Sequence, residues 1–455
     1  SGDTLVPYTQ ALTLCEAIDG NAQPVNVVDP LTTYACGAAS EVQIIKDAEH
    51  ALELGVCIES LCPAGAPGSD TRMAVDTAVN VAWDWLLADP PQPPPLPISI
   101  VALPDLDFNG VAEVGAFLQG ENRYADVRDA ATSIAISNVA INDDRSLIDQ
   151  GVVDNAGSPA LATLGADTSG RAWVEVRDAA NGALVKDVWF SSGYTPIALA
   201  VLPDQNGNGA SEVAVLMTKD SDGRAWVHIK DAATGAYVMN VWFETGYTPL
   251  DVEFVPSVNG NGSVELAVLM TRNSDGRAWV HVKDAVTGAA IKNNWFEAAH
   301  TPVDLAVVDD LDSNPGAELA VLFVRDSDSR AWVHLKDAKT GAYVKNVAFN
   351  SGYTPMALDV VPELDINSGD ELAVLMTKDA DGRAWVHVKD AATGSFIKDV
   401  WFQGDFEAYD FAVLPDMDSN PGAELAVLGV KDNVGVQSEI KDAATGTYIN
   451  RLDFP

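Results

Sequence analysis

The sequence predicts an all-β seven-bladed propeller of four-stranded blades, each about 53 residues long, behind a small, mainly helical, disulfide-bonded domain. Three observations lead there. Glu212, Glu265, Glu318, Glu371 and Glu424 hold one motif position at intervals of 53 residues, inside stretches such as ELAVLMT and RAWVHVKDAATG. Periods of that size mark propeller blades or solenoid coils. Within a period the apolar segments are short, β-rich and separated by turn residues. All four cysteines fall within the first 62 of 455 residues, which sets that segment apart from the repeats.

Taken in order, residues 1–89 come first. The segment from Ser1 to about Thr13 mixes polar and apolar residues as a strand would, and Glu41 to Glu59 and Arg72 to Leu87 carry apolar residues at helical spacing. Cys15, Cys36, Cys57 and Cys62 are even in number and clustered, as two disulfides in an oxidising compartment would be. They lack the paired C-x2-C knuckles of a zinc site, and their pairing stays open among three arrangements. A start at Ser1, without initiator Met or apolar leader, is what an exported protein looks like once its signal peptide is gone, so a secreted or cell-surface location is expected. Residues 90–97, Pro90-Pro91-Gln92-Pro93-Pro94-Pro95-Leu96-Pro97, read as a stiff, extended spacer.

Residues 98–455 hold the repeats. One unit places strands at Ala357 to Val361, Glu371 to Met376, Ala384 to Lys389 and Phe396 to Phe402. The second strand, LAVLM, is apolar on both faces, which suits a strand sandwiched between neighbouring blades. Seven units begin near Ile98, Gln150, Val201, Phe254, Val307, Asp359 and Ala412. Such a number closes into a ring without open edges. The last unit ends with its fourth strand complete at Pro455, so no strand is expected to be borrowed across the seam. The first and last units diverge most, with Tyr124 and Val436 where the middle units carry Trp.

The loop between first and second strands carries the chemistry. In the first unit Asp105, Asp107, Asn109, the carbonyl of Val111 and Glu113 alternate along the chain, offering oxygen donors at positions one, three, five, seven and nine. Calcium takes six to eight such oxygens in flexible geometry, and magnesium tolerates that less well. The twelfth position is Ala116 rather than the EF-hand glutamate.

With these loops the chain resembles the FG-GAP and VCBS repeat propellers, whose calcium-loop architecture also occurs in integrin α-subunit heads; the resemblance covers about residues 98–455. It implies further loops at Asp204, Asn206, Asn208, Ala210 and Glu212, and at Ser257, Asn259, Asn261, Ser263 and Glu265. It also implies loops at Asp310, Asp312, Asn314, Gly316 and Glu318, and at Glu363, Asp365, Asn367, Gly369 and Glu371. The last is Asp416, Asp418, Asn420, Gly422 and Glu424. The Phe-Gly and Gly-Ala-Pro signatures of the first family are absent, and the second unit keeps only Asp154 and Asn155. Five to six structural Ca2+ ions are therefore expected, with no ion at that second unit and a weak one at Ser257.

Other recurrent residues read as structural. Trp173, Trp226, Trp279, Trp332 and Trp385 would pack between blades, with His228, His281, His334 and His387 and the following lysines toward the edge. Trp189, Trp242, Trp295 and Trp401 of the WF pairs would also be packing residues, and Asp231, Asp284, Asp337 and Asp390 would cap turns.

With 66 acidic against 27 basic residues, the net charge of -39 repels nucleic acid and anionic membrane surfaces. No apolar run is long enough for a membrane helix. No nucleophile elbow, metalloprotease helix or phosphate loop occurs. The expected role is non-enzymatic adhesion or assembly through a protein partner or self-association, with multivalent glycan binding as the alternative.

Overall fold

The computed structural model describes the backbone of residues 22–28, 31–36 and 40–45. It describes residues 95–311, 316–362, 364, 369–417, 422–431 and 434–455 in full. The chain divides into two units, Ser1–Gln92 and Pro93–Pro455.

In the first unit an antiparallel meander runs through β1 (Ala22–Val28), β2 (Leu31–Cys36) and β3 (Ser40–Ile45). This corrects one expectation. Glu41 to Ile45, expected to open a helix, pairs with β2 through Glu41↔Ala35, Val42↔Tyr34 and Ile45↔Leu31. Val42, Ile44 and Ile45 are β-branched, and five residues satisfy either period until a neighbouring strand decides between them. The remainder of the segment expected as that helix, the helix expected over Arg72 to Leu87, the strand expected from Ser1 to about Thr13, and Cys15, Cys57 and Cys62 lie outside the described residues.

The second unit is a seven-bladed propeller. Each of its seven antiparallel sheets takes four consecutive strands, so no strand crosses from one blade to another. The blades run Leu96 to Ala140, Ser146 to Trp189, Tyr194 to Trp242, Tyr247 to Trp295, His300 to Ala348, Tyr353 to Trp401 and Phe406 to Asp453. Blade 3 shows the pattern in strands Tyr194–Leu202, Glu212–Lys219, Ala225–Asp231 and Tyr237–Trp242. Its first strand pairs Pro196 with Met217 and then skips a residue to pair Ala198 with Leu216. A proline lacks the N–H a regular ladder would use and is tolerated beside this bulge, which blades 2 and 7 keep at Leu147/Asp149 and Ala408/Asp410 without one. The same shift follows Pro249, Pro302, Pro355 and Pro97. Pro97 and Leu96, placed in the spacer by the sequence, are therefore blade 1's opening residues, paired with Leu118 and Gln119.

Seven clusters of buried side chains fill the seven junctions between adjacent blades. The second strand is buried on both faces, as expected. Blade 7 closes onto blade 1 through one of these clusters, where Ala412, Leu414 and Leu428 meet Ile100, Val114 and Leu118. Asn450 Nδ2 donates to Ala130 O at 2.7 Å, and Tyr124 Oη to Pro455 O at 3.1 Å.

At the axis the first strands pack side by side and are joined by aspartates. Asp149 Oδ2 accepts Leu199 N–H at 2.7 Å, Asp304 Oδ2 accepts Leu358 N–H at 2.7 Å, and Asp410 Oδ2 accepts Ile100 N–H at 3.0 Å. Asp251 and Asp359 accept from Leu305 and Val413 in the same way. Each carboxylate thus ties one blade to the next, and Asp410 ties the seam. Burial pushes Asp149 and Asp359 up to about 6 and Asp410 up to about 7.

The aromatic residues correct two further expectations. His228, His281, His334 and His387 are buried rather than at the edge, while the tryptophans preceding them are only half-buried. In the WF pairs the phenylalanine is the packing residue: Phe190, Phe243, Phe296 and Phe402 are fully buried. Trp189, Trp242, Trp295 and Trp401 stay 48 to 52 % exposed. Strand alternation explains the exchange, since adjacent residues point to opposite faces and only one of them meets the next blade. A lysine from the following blade covers each such tryptophan, as Lys230 does over Trp189 at 4.3 Å while donating to its carbonyl at 2.8 Å.

Candidate functional site

Every loop expected to hold an ion joins the first strand of its blade to the second, so all of them lie on one rim of the propeller. Neighbouring loops bond one another. Ala156 N–H donates to Gly209 O at 3.1 Å, and Asp309 N–H to Asp370 Oδ2 at 3.0 Å.

In blade 1 the loop turns back on Asp105, which accepts Asn109 N–H at 3.1 Å and Gly110 N–H at 2.7 Å. Gly110 has φ 90, a left-handed value that favours glycine, and the reversal depends on it. Carboxylate oxygens of Asp105, Asp107 and Glu113 come within 4.8 Å of one another. Glu113 opens the second strand fully buried, accepting Leu106 N–H at 2.9 Å. Burial pushes its carboxyl up to about 7, and Asp107 and Asp105 push the same way against the Leu106 hydrogen bond. A divalent cation among these oxygens would reverse that shift.

Blade 3 repeats the arrangement with Asp204, Asn206, Asn208 and Glu212. Asp204 accepts Gly207 N–H at 2.6 Å and Gly209 N–H at 2.7 Å, and Gln205 N–H donates to Glu212 at 2.8 Å. Ala210 N–H bonds Asn208 Oδ1 at 2.8 Å. Blade 4 brings Asn259, Asn261 and Glu265 together; Ser263 N–H bonds Asn261 Oδ1 at 2.8 Å, and Ser257 adds no carboxylate. In blades 5, 6 and 7 the described members are Asp310, Gly316 and Glu318, then Gly369 and Glu371, then Asp416, Gly422 and Glu424. Asp312, Asn314, Glu363, Asp365, Asn367, Asp418 and Asn420 lie outside the described residues. Blade 2 replaces the loop by a two-residue turn, Ala156 and Gly157, both left-handed.

The structure adds a residue that sequence reasoning placed elsewhere. The closing glutamate pairs in register with the last residue of the third strand: Glu113↔Asp129, Glu212↔Asp231, Glu265↔Asp284, Glu318↔Asp337, Glu371↔Asp390 and Glu424↔Asp442. These aspartates cap turns, as Asp231 Oδ1 does for Thr234 N–H at 2.6 Å, and in blades 1, 3 and 4 the other oxygen accepts from the loop asparagines. Asn206 Nδ2 donates to Asp231 Oδ2 at 2.9 Å, and Asn259 Nδ2 to Asp284 Oδ2 at 3.0 Å. Burial opposes ionisation of Asp231, yet hydrogen bonds from Thr234, Asn206 and Asn208 outweigh it and hold the carboxyl below its usual value. The recurrence of Lys/Arg-Asp-Ala was visible in the sequence; its pairing opposite the glutamate needed the register.

These residues fit a hard divalent cation. Glu265 Oε1, Asp337 Oδ2 and Asp442 Oδ2 are buried without a hydrogen-bond partner, a costly state that an ion would relieve. The loop asparagines now turn their amide N–H groups toward the carboxylates, and a half-turn of the amide would present oxygen instead.

No known family profile matches this chain, and no curated protein sequence matches it. Solved structures do. The BBS1N domain, crystallised in complex with ARL6DN, is similar with a TM-score of 0.50 and 14% identity, over 80% of this chain and 98% of that one. Hydrazine synthase of Kuenenia stuttgartiensis gives 0.50 and 14%, over 73% and 92%. Raptor of Chaetomium thermophilum gives 0.50 and 14%, over 76% of this chain and 28% of its own. At such identity the likeness establishes the propeller fold alone.

Proposed function

We propose that residues 93–455 form a non-enzymatic, calcium-stabilised propeller of the FG-GAP and VCBS kind, acting outside the cell as an adhesion or assembly module. The observation that carries this reading is the convergence of Asp105, Asp107 and buried Glu113, with a second buried carboxylate, Asp129, opposite the glutamate. The same glutamate–aspartate pair recurs in six blades. Bound ions would neutralise these pairs and pin the loops into one rim, a rigid face suited to a protein partner or a second copy of the chain. Complexes such as that of BBS1N with ARL6DN support a protein partner by fold analogy alone.

The test is calcium itself. An ion bound only by the folded state stabilises by about 2.7 kcal/mol per site at a hundredfold excess over its dissociation constant. Chelation is expected to lower the melting temperature by many degrees, calcium to restore it better than magnesium, and Asp107→Ala to remove one ion from the stoichiometry. Identical melting curves in chelator and in calcium would refute the calcium reading. A glycan-binding role has one observation in its favour, the four half-exposed tryptophans on the outer strands. Saturable sugar binding lost in a Trp242→Ala, Trp401→Ala double variant would select it over adhesion.

A further inference from the structure

The junction of blades 4 and 5 departs from the repeat. Blades 2, 3 and 5 pass to their successors through a glycine in the left-handed region followed by tyrosine: Gly193-Tyr194, Gly246-Tyr247 and Gly352-Tyr353. There the tyrosine ring meets the buried histidine of the next third strand, with centroids 4.7 Å apart for Tyr194 and His228 and 4.8 Å for Tyr247 and His281. After blade 4 the chain reads Glu297-Ala298-Ala299-His300. Ala299 keeps the left-handed conformation, φ 62, without glycine's freedom. His300 takes the tyrosine's place, 4.9 Å from His334.

Glu297, His300 and His334 each bring a ligand atom within 4.8 Å of the others. His334 is 3% exposed, and its Nε2 is buried without a hydrogen-bond partner. The corresponding Nε2 of His228, His281 and His387 also lacks a partner, but each of those rings faces a tyrosine. His300 holds Nδ1 at 3.1 Å from Ala298 O, the backbone contact that orients metal-ligating imidazoles and leaves Nε2 free. Phe323, where blades 3, 4 and 6 carry Met217, Met270 and Met376, walls the cluster with its centroid 4.9 Å from His334.

We infer that Glu297, His300 and His334 form a site for one divalent transition-metal ion of the zinc class, separate from the oxygen-lined loops. Two imidazoles and one carboxylate suit zinc, and three protein ligands leave a fourth position for water. Calcium prefers an all-oxygen shell, so the two kinds of site select different ions. Donors on a tetrahedral zinc stand roughly 3.3 Å apart, and exposed Glu297 is the member free to close that gap. Lys336, whose ammonium lies 4.5 Å from the Trp295 ring, is the neighbouring cation that competes for Glu297.

The test uses the full chain in saturating calcium. Equilibrium dialysis counts zinc on the wild type, on His300→Tyr, which restores the repeat's own residue, and on Glu297→Gln. The wild type is expected to bind one more zinc than His300→Tyr at equal calcium content, and Glu297→Gln to weaken that ion by about tenfold or more. Cobalt at the same site should show visible d–d bands without the near-ultraviolet thiolate band that a cysteine site would add. Equal zinc counts on the wild type and His300→Tyr overturn the inference. Should His300→Tyr fail to fold, unchanged zinc affinity in Glu297→Gln overturns it equally.

Discussion

Glu253 reaches the axis of the ring among Asp251, Asp304, Asp149 and Asp359; burial first, and then these like charges, hold its carboxyl well above the usual range. Its neighbours there carry raised values of about 6 to 7. An unfolded carboxyl titrates near 4, so each of these groups favours the folded state in its protonated form. That stability is complete below about pH 4 and is lost as pH rises through about 6 to 7. With calcium chelated, the melting temperature is expected to climb as pH is lowered from about 8 to about 5.5. Glu253→Gln removes one of these charges at nearly constant shape. It should stabilise by on the order of 1 kcal/mol at high pH and give little at low pH. A variant that melts below the wild type at high pH would show that Glu253 has a partner worth more than the repulsion.

At the scale of the strand, the WF pair divides labour between adjacent residues. Phe243 is fully buried in the cluster between blades 3 and 4. Trp242 is 48% exposed beneath Lys283, whose ammonium lies 4.4 Å from its ring. Removing a buried phenylalanine costs about 3 to 5 kcal/mol, because a cavity adds to the lost transfer energy. The tryptophan loses only partial burial and its contacts with Lys283 and Arg224, about 1 to 2 kcal/mol. Denaturant melts of Phe243→Ala and Trp242→Ala should show that order, and equal losses would return the tryptophan to the core.

For the whole molecule, closure is the main energetic fact. Each blade buries its second strand only by having neighbours on both sides, and blade 7 gains its second neighbour through the cluster with blade 1 and the Asp410–Ile100 bond. The propeller strands begin at Leu96, within the unit that starts at Pro93. A chain of residues 93–455 alone is expected to melt in one cooperative transition. Cutting at residue 98 should cost stability, since it removes the paired Leu96 and Pro97. Failure of residues 93–455 to fold would mean that the first unit contributes to the ring.

The period, the blade count, the strand order and the absence of a borrowed strand were legible in the sequence, because a blade is a local unit whose turns and alternation lie within 53 residues. The convergence of Asp105, Asp107 and Glu113 was legible for the same reason, since Asp105 to Glu113 is one continuous stretch. Tertiary structure decided what depends on pairing between distant segments. Register set Asp231 opposite Glu212, and neighbouring blades buried His228 and Phe190 while leaving Trp189 at the surface. Ring closure brought Asp149, Glu253, Asp304 and Asp410 to one axis, and strand pairing within blade 5 brought His300 to His334. A side chain's face follows from its own strand, but what that face meets is set by the strand beside it.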